Sequence, residues 1–300
     1  MAEQKAHDNG EWTINRLLAW TRQYFESHGI DEPRLSAELL LAKVLDCPKI
    51  QLYTRFNETP TNEQRTAFRE LVKAAVEHHP IAYLVGRKEF YSLDFLVTSD
   101  VLIPRPETEL LVEHALAWCD ANQHEEYHLL DVGTGSGCIA VTMTKRNPVV
   151  LAVATDISEA ALRVARQNAE LHQVTKRIHW IQADLLNLPP DDVNANRLFD
   201  LILSNPPYVA EKDRESLPEN VRRYEPSAAL FSGDDGLDAY RRIAADIRRH
   251  LRPHGALLLE IGIDQANDVE ALFATAGLEL VARHKDLAGI ERALQFTLPA

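Results

Sequence analysis

The chain has 300 residues, 45% of them hydrophobic and 26% charged, with a net charge of −13. That composition fits a globular protein with room for one large or two smaller cores. The acidic balance argues against a protein whose main business is wrapping a nucleic-acid backbone, and no apolar run approaches the roughly 18 residues of a membrane span.

Residues 1–10 are polar, lack the apolar stretch of a secretion signal and read as a short disordered lead. Cys47, Cys119 and Cys138 are widely spaced, which makes a disulfide framework or zinc site a poor reading and favours a reducing cytoplasm. Residues 11–79 carry helical periodicity. Ile14, Leu17, Leu18 and Thr21 recur at spacings of three and four, as do Leu35, Leu39, Leu40 and Val44, then Phe68, Leu71, Val72 and Ala75. Pro33 suits a first helical turn and Thr61 an N-cap, which gives a bundle of three or four helices. His78 and His79 are adjacent and face different ways on a helix, so they read as a helix end and not a metal pair.

From Pro80 the period changes. Residues 81–90 and 93–97 are rich in aromatic and β-branched types around Ser92 and read as a β-hairpin, so 80–104 is expected to link the bundle to the rest. Pro104 and Pro106 force an extended loop around Arg105 and Glu107. This loop either turns in solvent or lines a pocket. A helix follows over 110–120.

Residues 128–132 form a short apolar strand that runs into Asp131, Gly133, Thr134, Gly135, Ser136 and Gly137, and then into a helix over 138–145. Strands over 149–155, 178–182 and 198–204 lead to Asp156, to Asp184 and to Asn205. In an open α/β sheet, such strand ends line one crevice. The spacing is GxGxG, neither the GxGxxG of dinucleotide enzymes nor a P-loop. An acid just before a glycine turn that holds no phosphate suits a nucleoside with a cationic amino-acid tail, the form of S-adenosylmethionine. Asp131 is then expected near the ammonium group, Asp156 at the ribose hydroxyls and Asp184 at the adenine amino group.

The fourth strand ends in Asn205-Pro206-Pro207-Tyr208. Two prolines fix φ and remove two backbone donors, which leaves nearby carbonyls free to face a ligand. Residues 209–224 are polar and charged, either a lid over the substrate or a surface loop. A helix over 236–251, a strand over 255–261, a helix over 264–276 and an antiparallel pair over 278–283 and 293–298 complete the chain.

The glycine turn with Asn205-Pro206-Pro207-Tyr208 resembles the class I S-adenosylmethionine methyltransferases that modify planar nitrogens. More closely, the chain resembles the release-factor glutamine N5-methyltransferases over residues 12–298. The likeness is carried by Pro80-Ile81-Ala82-Tyr83-Leu84 with Gly86, Glu89-Phe90, the run from Leu102 to Glu109, Glu225-Pro226, Gly236-Leu237-Asp238, and Asp286-Leu287-Ala288-Gly289 with Arg292.

That resemblance implies a Rossmann-like α/β domain over 105–300 with a mixed seven-stranded sheet, preceded by a helical substrate-recognition domain. It implies methylation of the glutamine in the Gly-Gly-Gln loop of class 1 peptide chain release factors, with S-adenosylmethionine consumed to S-adenosylhomocysteine. By position, Gly133, Thr134, Gly135, Ser136, Gly137, Asp156 and Asn205 contact the cofactor. Asn205, Pro206, Pro207 and Tyr208 hold the glutamine, with Arg105 and Glu107 on the substrate side. Leu185 stands where some relatives carry an aromatic against adenine, so an aliphatic contact replaces stacking there. Asn205, Pro206 and Tyr208 are the expected catalytic set, no metal is needed, and a monomer that binds neither nucleic acid nor membrane is expected. A ribosomal-protein glutamine methyltransferase and a nucleic-acid adenine N6-methyltransferase are the alternatives, because the tetrapeptide's acceptors suit an adenine amino group equally well.

Overall fold

The computed structural model describes residues 11–299. They fall into two compact units that divide between Gly86 and Arg87, and the lead expected over 1–10 lies outside the described residues.

The first unit holds α1 (Ile14–Ser27), α2 (Pro33–Val44), α3 (Lys49–Thr54), α4 (Asn62–Val76) and α5 (Ile81–Val85). The periodic apolar residues bury as the pattern requires: Ile14, Leu17, Phe25, Leu40, Leu41, Leu52, Phe68 and Val72 form one core. Thr61 caps α4 in a reciprocal capping box with Gln64, which satisfies two of the donors a helix start leaves unpaired. Pro33 occupies the first turn of α2. His78 sits past the end of α4 with a positive φ of 67°.

Residues 81–85 depart from the expected strand. They form the single helical turn α5, entered from Pro80 and closed by Gly86, whose φ of 82° and N–H to the Ala82 carbonyl stop it at once. The hairpin is shorter than the sequence reading. It comprises β1 (Arg87–Phe90) and β2 (Leu93–Leu96), turned through Tyr91 and Ser92 at φ 50° and 58°. Phe90 and Phe95 are buried in the core of the second unit, and Asn168 receives the Leu96 N–H and donates to its carbonyl.

The second unit continues with α6 (Glu109–Asn122), β3 (Tyr127–Val132), α7 (Cys138–Arg146), β4 (Val150–Asp156), α8 (Glu159–Leu171), β5 (Ile178–Gln182) and β6 (Phe199–Ser204). Then come α9 (Glu219–Tyr224), α10 (Ser227–Leu230), α11 (Asp238–Asp246), β7 (Leu251–Glu260), α12 (Ala266–Thr275), β8 (Glu279–Lys285) and β9 (Glu291–Thr297). The seven strands of the main sheet run β5-β4-β3-β6-β7-β9-β8, all parallel to their neighbours except β9, which is antiparallel to both. This is the mixed seven-stranded sheet expected.

Alternate strand residues feed two cores. Leu129, Leu201 and Leu203 pack with α6 and α7, whereas Leu130, Val132 and Ile202 pack with α11 and α12. The chain order reverses between β3 and β6, so their C-terminal ends open a crevice at the switch point. Ser204 Oγ bonds the Val132 carbonyl at 2.7 Å and ties the two strand ends together there. Among the described residues no helix is long and apolar enough to cross a membrane, and no group of three or more His, Cys, Asp or Glu is placed to hold a metal.

Candidate active site

The glycine turn leaves β3 at this crevice. Gly133 and Gly135 take φ of 72° and 54°, and open space lies where a Cβ would stand on either, so backbone is exposed to whatever occupies the crevice. Gly137 serves a different end. At φ 80°, a Cβ there would lie 3.0 Å from that of Ala165, so its hydrogen lets α7 start hard against α8.

Two carboxylates shape the turn. Asp131, fully buried, accepts through Oδ2 from Thr134 Oγ1 at 2.6 Å and from the Ala140 N–H at 3.1 Å. Its Oδ1 is buried without a hydrogen-bond partner among the described residues. Burial pushes its pKa up to about 7, against the pull of those two donors. Asp156 ends β4 and grips the turn from the other side. Its Oδ2 accepts from the Gly135 N–H and its Oδ1 from the Ser158 N–H, both at 2.9 Å. Its pKa is also raised, again by burial.

This donor set fits a nucleoside with a cationic tail. The unpartnered Asp131 oxygen is an open acceptor suited to an ammonium group, and two backbone donors hold Asp156 at the turn, where a hydroxyl-bearing sugar could meet it. Asp184 and Leu185 follow β5. The Asp184 carboxylate meets Arg242 in an exposed ion pair at 2.6 Å, and Leu185 adopts a left-handed φ of 55° beside the apolar core.

Across the switch point, Asn205-Pro206-Pro207-Tyr208 follows β6. Asn205 Nδ2 donates to Thr108 Oγ1 at 3.0 Å, and Thr108 Oγ1 donates to Glu260 Oε2 at 2.5 Å. The second oxygen of Glu260 lies 3.5 Å from Tyr208 Oη. The Tyr208 carbonyl is held by Gln265 Nε2 at 3.0 Å. Burial, with Glu260 nearby, raises the Tyr208 pKa, so its hydroxyl stays protonated.

Arg105 and Glu107 lie on the loop before α6. Arg105 Nη2 bonds Glu225 Oε1 at 2.6 Å, and the other Glu225 oxygen accepts from the Ile103 N–H at 3.2 Å, so one buried carboxylate fastens both ends of the Pro104 turn. Arg105, Asn205 and Tyr208 line a pocket of about 250 Å³ whose apolar wall includes Leu102, Leu217, Val221 and Leu230. Leu217 and Val221 belong to the polar stretch 209–224. That stretch is built of a short 3-10 turn, Glu211–Ser216, and α9, so it forms an ordered wall of the pocket.

Two family models match the chain. The PrmC N-terminal domain covers residues 16–86 and the methyltransferase small domain covers 106–221. The release factor glutamine methyltransferase of Rhodopirellula baltica is 41% identical over 286 residues, which span 94% of this chain and 95% of that protein. The chain belongs to the release factor glutamine methyltransferases. A second member, from Geobacter sulfurreducens, is 40% identical over 94% of this chain and 96% of its own length. Among solved structures, the hMettl16 catalytic domain in complex with MAT2A 3'UTR hairpin 6 shares the fold, with a TM-score of 0.54 and 16% identity over 70% of this chain and 77% of that one.

For a member of these methyltransferases, the structure unites Asp131, the glycine turn, Asp156 and Asn205 to Tyr208 at the ends of β3, β4 and β6. Thr108, Glu225 and Glu260 were not singled out as site residues by sequence reasoning. The one signal for Thr108 is its place in the Pro104 to Glu109 run. Glu260 reads as an ordinary acid at a strand end, and only its complete burial marks it out.

Proposed function

We propose that this protein transfers a methyl group from S-adenosylmethionine to the side-chain amide nitrogen of the glutamine in the Gly-Gly-Gln motif of class 1 peptide chain release factors. The products are N5-methylglutamine and S-adenosylhomocysteine. When bound, the cofactor supplies an electrophilic methyl group on a positively charged sulfur. Gly133 to Gly137 offer backbone to it, Asp131 receives its ammonium group, Asp156 its ribose, and Asp184 and Leu185 flank its base.

A carboxamide nitrogen is a poor nucleophile because its lone pair is delocalised into the carbonyl. The protein's task is to hold both N–H groups and turn the nitrogen towards the methyl. Asn205 Oδ1 accepts one proton's hydrogen bond and the Pro206 carbonyl the other, while the Tyr208 ring packs on the amide plane. Alignment of this kind supplies roughly 7–11 kcal/mol. The observation that carries the reading is the commitment of Asn205 Nδ2 to Thr108, which leaves Oδ1 as the group available to a substrate N–H. Arg105, Glu107 and the pocket wall take the rest of the loop. The reading sets the protein in the cytoplasm, as a monomer acting on a protein partner.

The test is to incubate the protein with methyl-labelled cofactor and either release factor or nucleic acid, and to locate the label. Label on the Gly-Gly-Gln glutamine supports the reading. Label on adenine, with none on the factor, overturns it.

A further inference from the structure

Resting on that reading, we propose that ionised Glu260, acting through Thr108, is the positioning residue that keeps the Asn205 amide oxygen turned to the substrate, and that protonating Glu260 releases this hold. Thr108 has a single hydroxyl proton. Its Oγ1 lies 2.5 Å from Glu260 Oε2, and an ionised carboxylate accepts only, so the proton lies between them. The Thr108 oxygen can then only accept from Asn205, and only the Nδ2 side of the amide can meet it. The orientation of Asn205 is therefore dictated by a charge two hydrogen bonds away.

Place the proton on Glu260 Oε2 and the chain reverses. Glu260 donates to Thr108, Thr108 donates to Asn205, and the amide must turn its oxygen inward. It then offers N–H to a substrate that itself brings N–H, and the acceptor is gone. The other Glu260 oxygen faces Tyr208, so one carboxylate reaches both side chains proposed to hold the glutamine.

The surroundings poise the switch. Arg105 and Arg292, from the loop before α6 and from β9, favour the ionised form, and Glu107 opposes it. Cys138 at the start of α7, Tyr240 on α11 and Tyr208 also face this carboxylate, and burial raises the pKa of all three. Burial dominates and pushes Glu260 up to about 7.

Two variants separate this role from a structural one. Thr108→Val, nearly isosteric, should lower kcat about 10-fold or more with cofactor Kd within about twofold of the parent, because alignment alone is lost. At saturating cofactor the parent's kcat should fall about tenfold per pH unit below pH 7, as for a single required base. Glu260→Gln keeps an acceptor for Thr108 at every pH and should lose that acid limb. Persistence of the limb in Glu260→Gln, or a Thr108→Val kcat within about twofold of the parent, overturns the proposal. Should the parent transfer no label to a release factor, the functional reading fails, and NMR still decides this one. The Asn205 side-chain amide resonances should titrate with a midpoint near pH 7 in the parent and stay fixed in Glu260→Gln. Resonances that do not move in the parent refute it.

Discussion

Replacing Asp156 with alanine separates two contributions that the structure joins in one side chain. Asp156 Oδ2 holds the Gly135 N–H and Oδ1 holds the Ser158 N–H, each at 2.9 Å. Hydrogen bonds to a charged group contribute about 1.5–3 kcal/mol each, and the loss of a charged acceptor for a ligand hydroxyl costs about 1–3 kcal/mol of binding. The cofactor Kd measured by calorimetry should therefore rise about 5- to 160-fold. The glycine turn also loosens, so Tm without cofactor should drop by about 2–4 °C for each kcal/mol lost. A Kd within about twofold of the parent would remove Asp156 from the binding site, whatever happens to Tm. A lowered Tm with unchanged Kd would show that it only shapes the turn.

Asn205→Ala should lower kcat by about 10²-fold or more while cofactor affinity holds, since its proposed acceptor role is towards the substrate; near-normal turnover in a methylation assay would sink the assignment. The folded-state pKa of Asp131 is raised to about 7, so between the ordinary carboxylate value and pH 7 the folded protein binds more protons than the unfolded chain. Stability contributed by this group then falls as pH rises through that window. Asp131→Asn removes the titration, so the Tm difference between variant and parent, both without cofactor, should move in the variant's favour from pH 5 to pH 8; a constant difference refutes it. The same variant should weaken cofactor binding at pH 8. Thr61→Ala breaks the capping box of α4 and should cost about 1 kcal/mol, read as a lower Tm with unchanged kcat.

The parallel part of the sheet was legible in the sequence because polar residues punctuate its apolar runs. Asp131, Asp156 and Asn205 mark strand ends by chemistry, and the apolar runs before them can form little but buried strands. The helix starts at Pro33 and Thr61 were legible for the same local reason. Residues 81–85 were not. Ile, Tyr and Val favour strands by type, but Pro80 and Gly86 bracket only five residues, and that enclosure wins. Arg105 was legible as part of a stiff loop. Its tie to Glu225 was not, because the partner lies 120 residues away. Glu260 was missed for a like reason: nothing near it in the chain shows that it sits under Asn205.

The hydrogen-bond chain through Asn205, Thr108 and Glu260 has a consequence for assembly. Its two links join residues 97 and 152 positions apart, and no shorter stretch contains all three. Thr108 precedes β3 and Glu260 ends β7, so most of the sheet must be registered before the amide of Asn205 is fixed. Loop-closure entropy makes such distant contacts late ones. A nascent chain that has emerged only as far as Tyr208 already carries the glycine turn and the tetrapeptide, yet lacks the carboxylate proposed to orient Asn205. On the proposed roles, competence to transfer is acquired after the parts for binding are in hand.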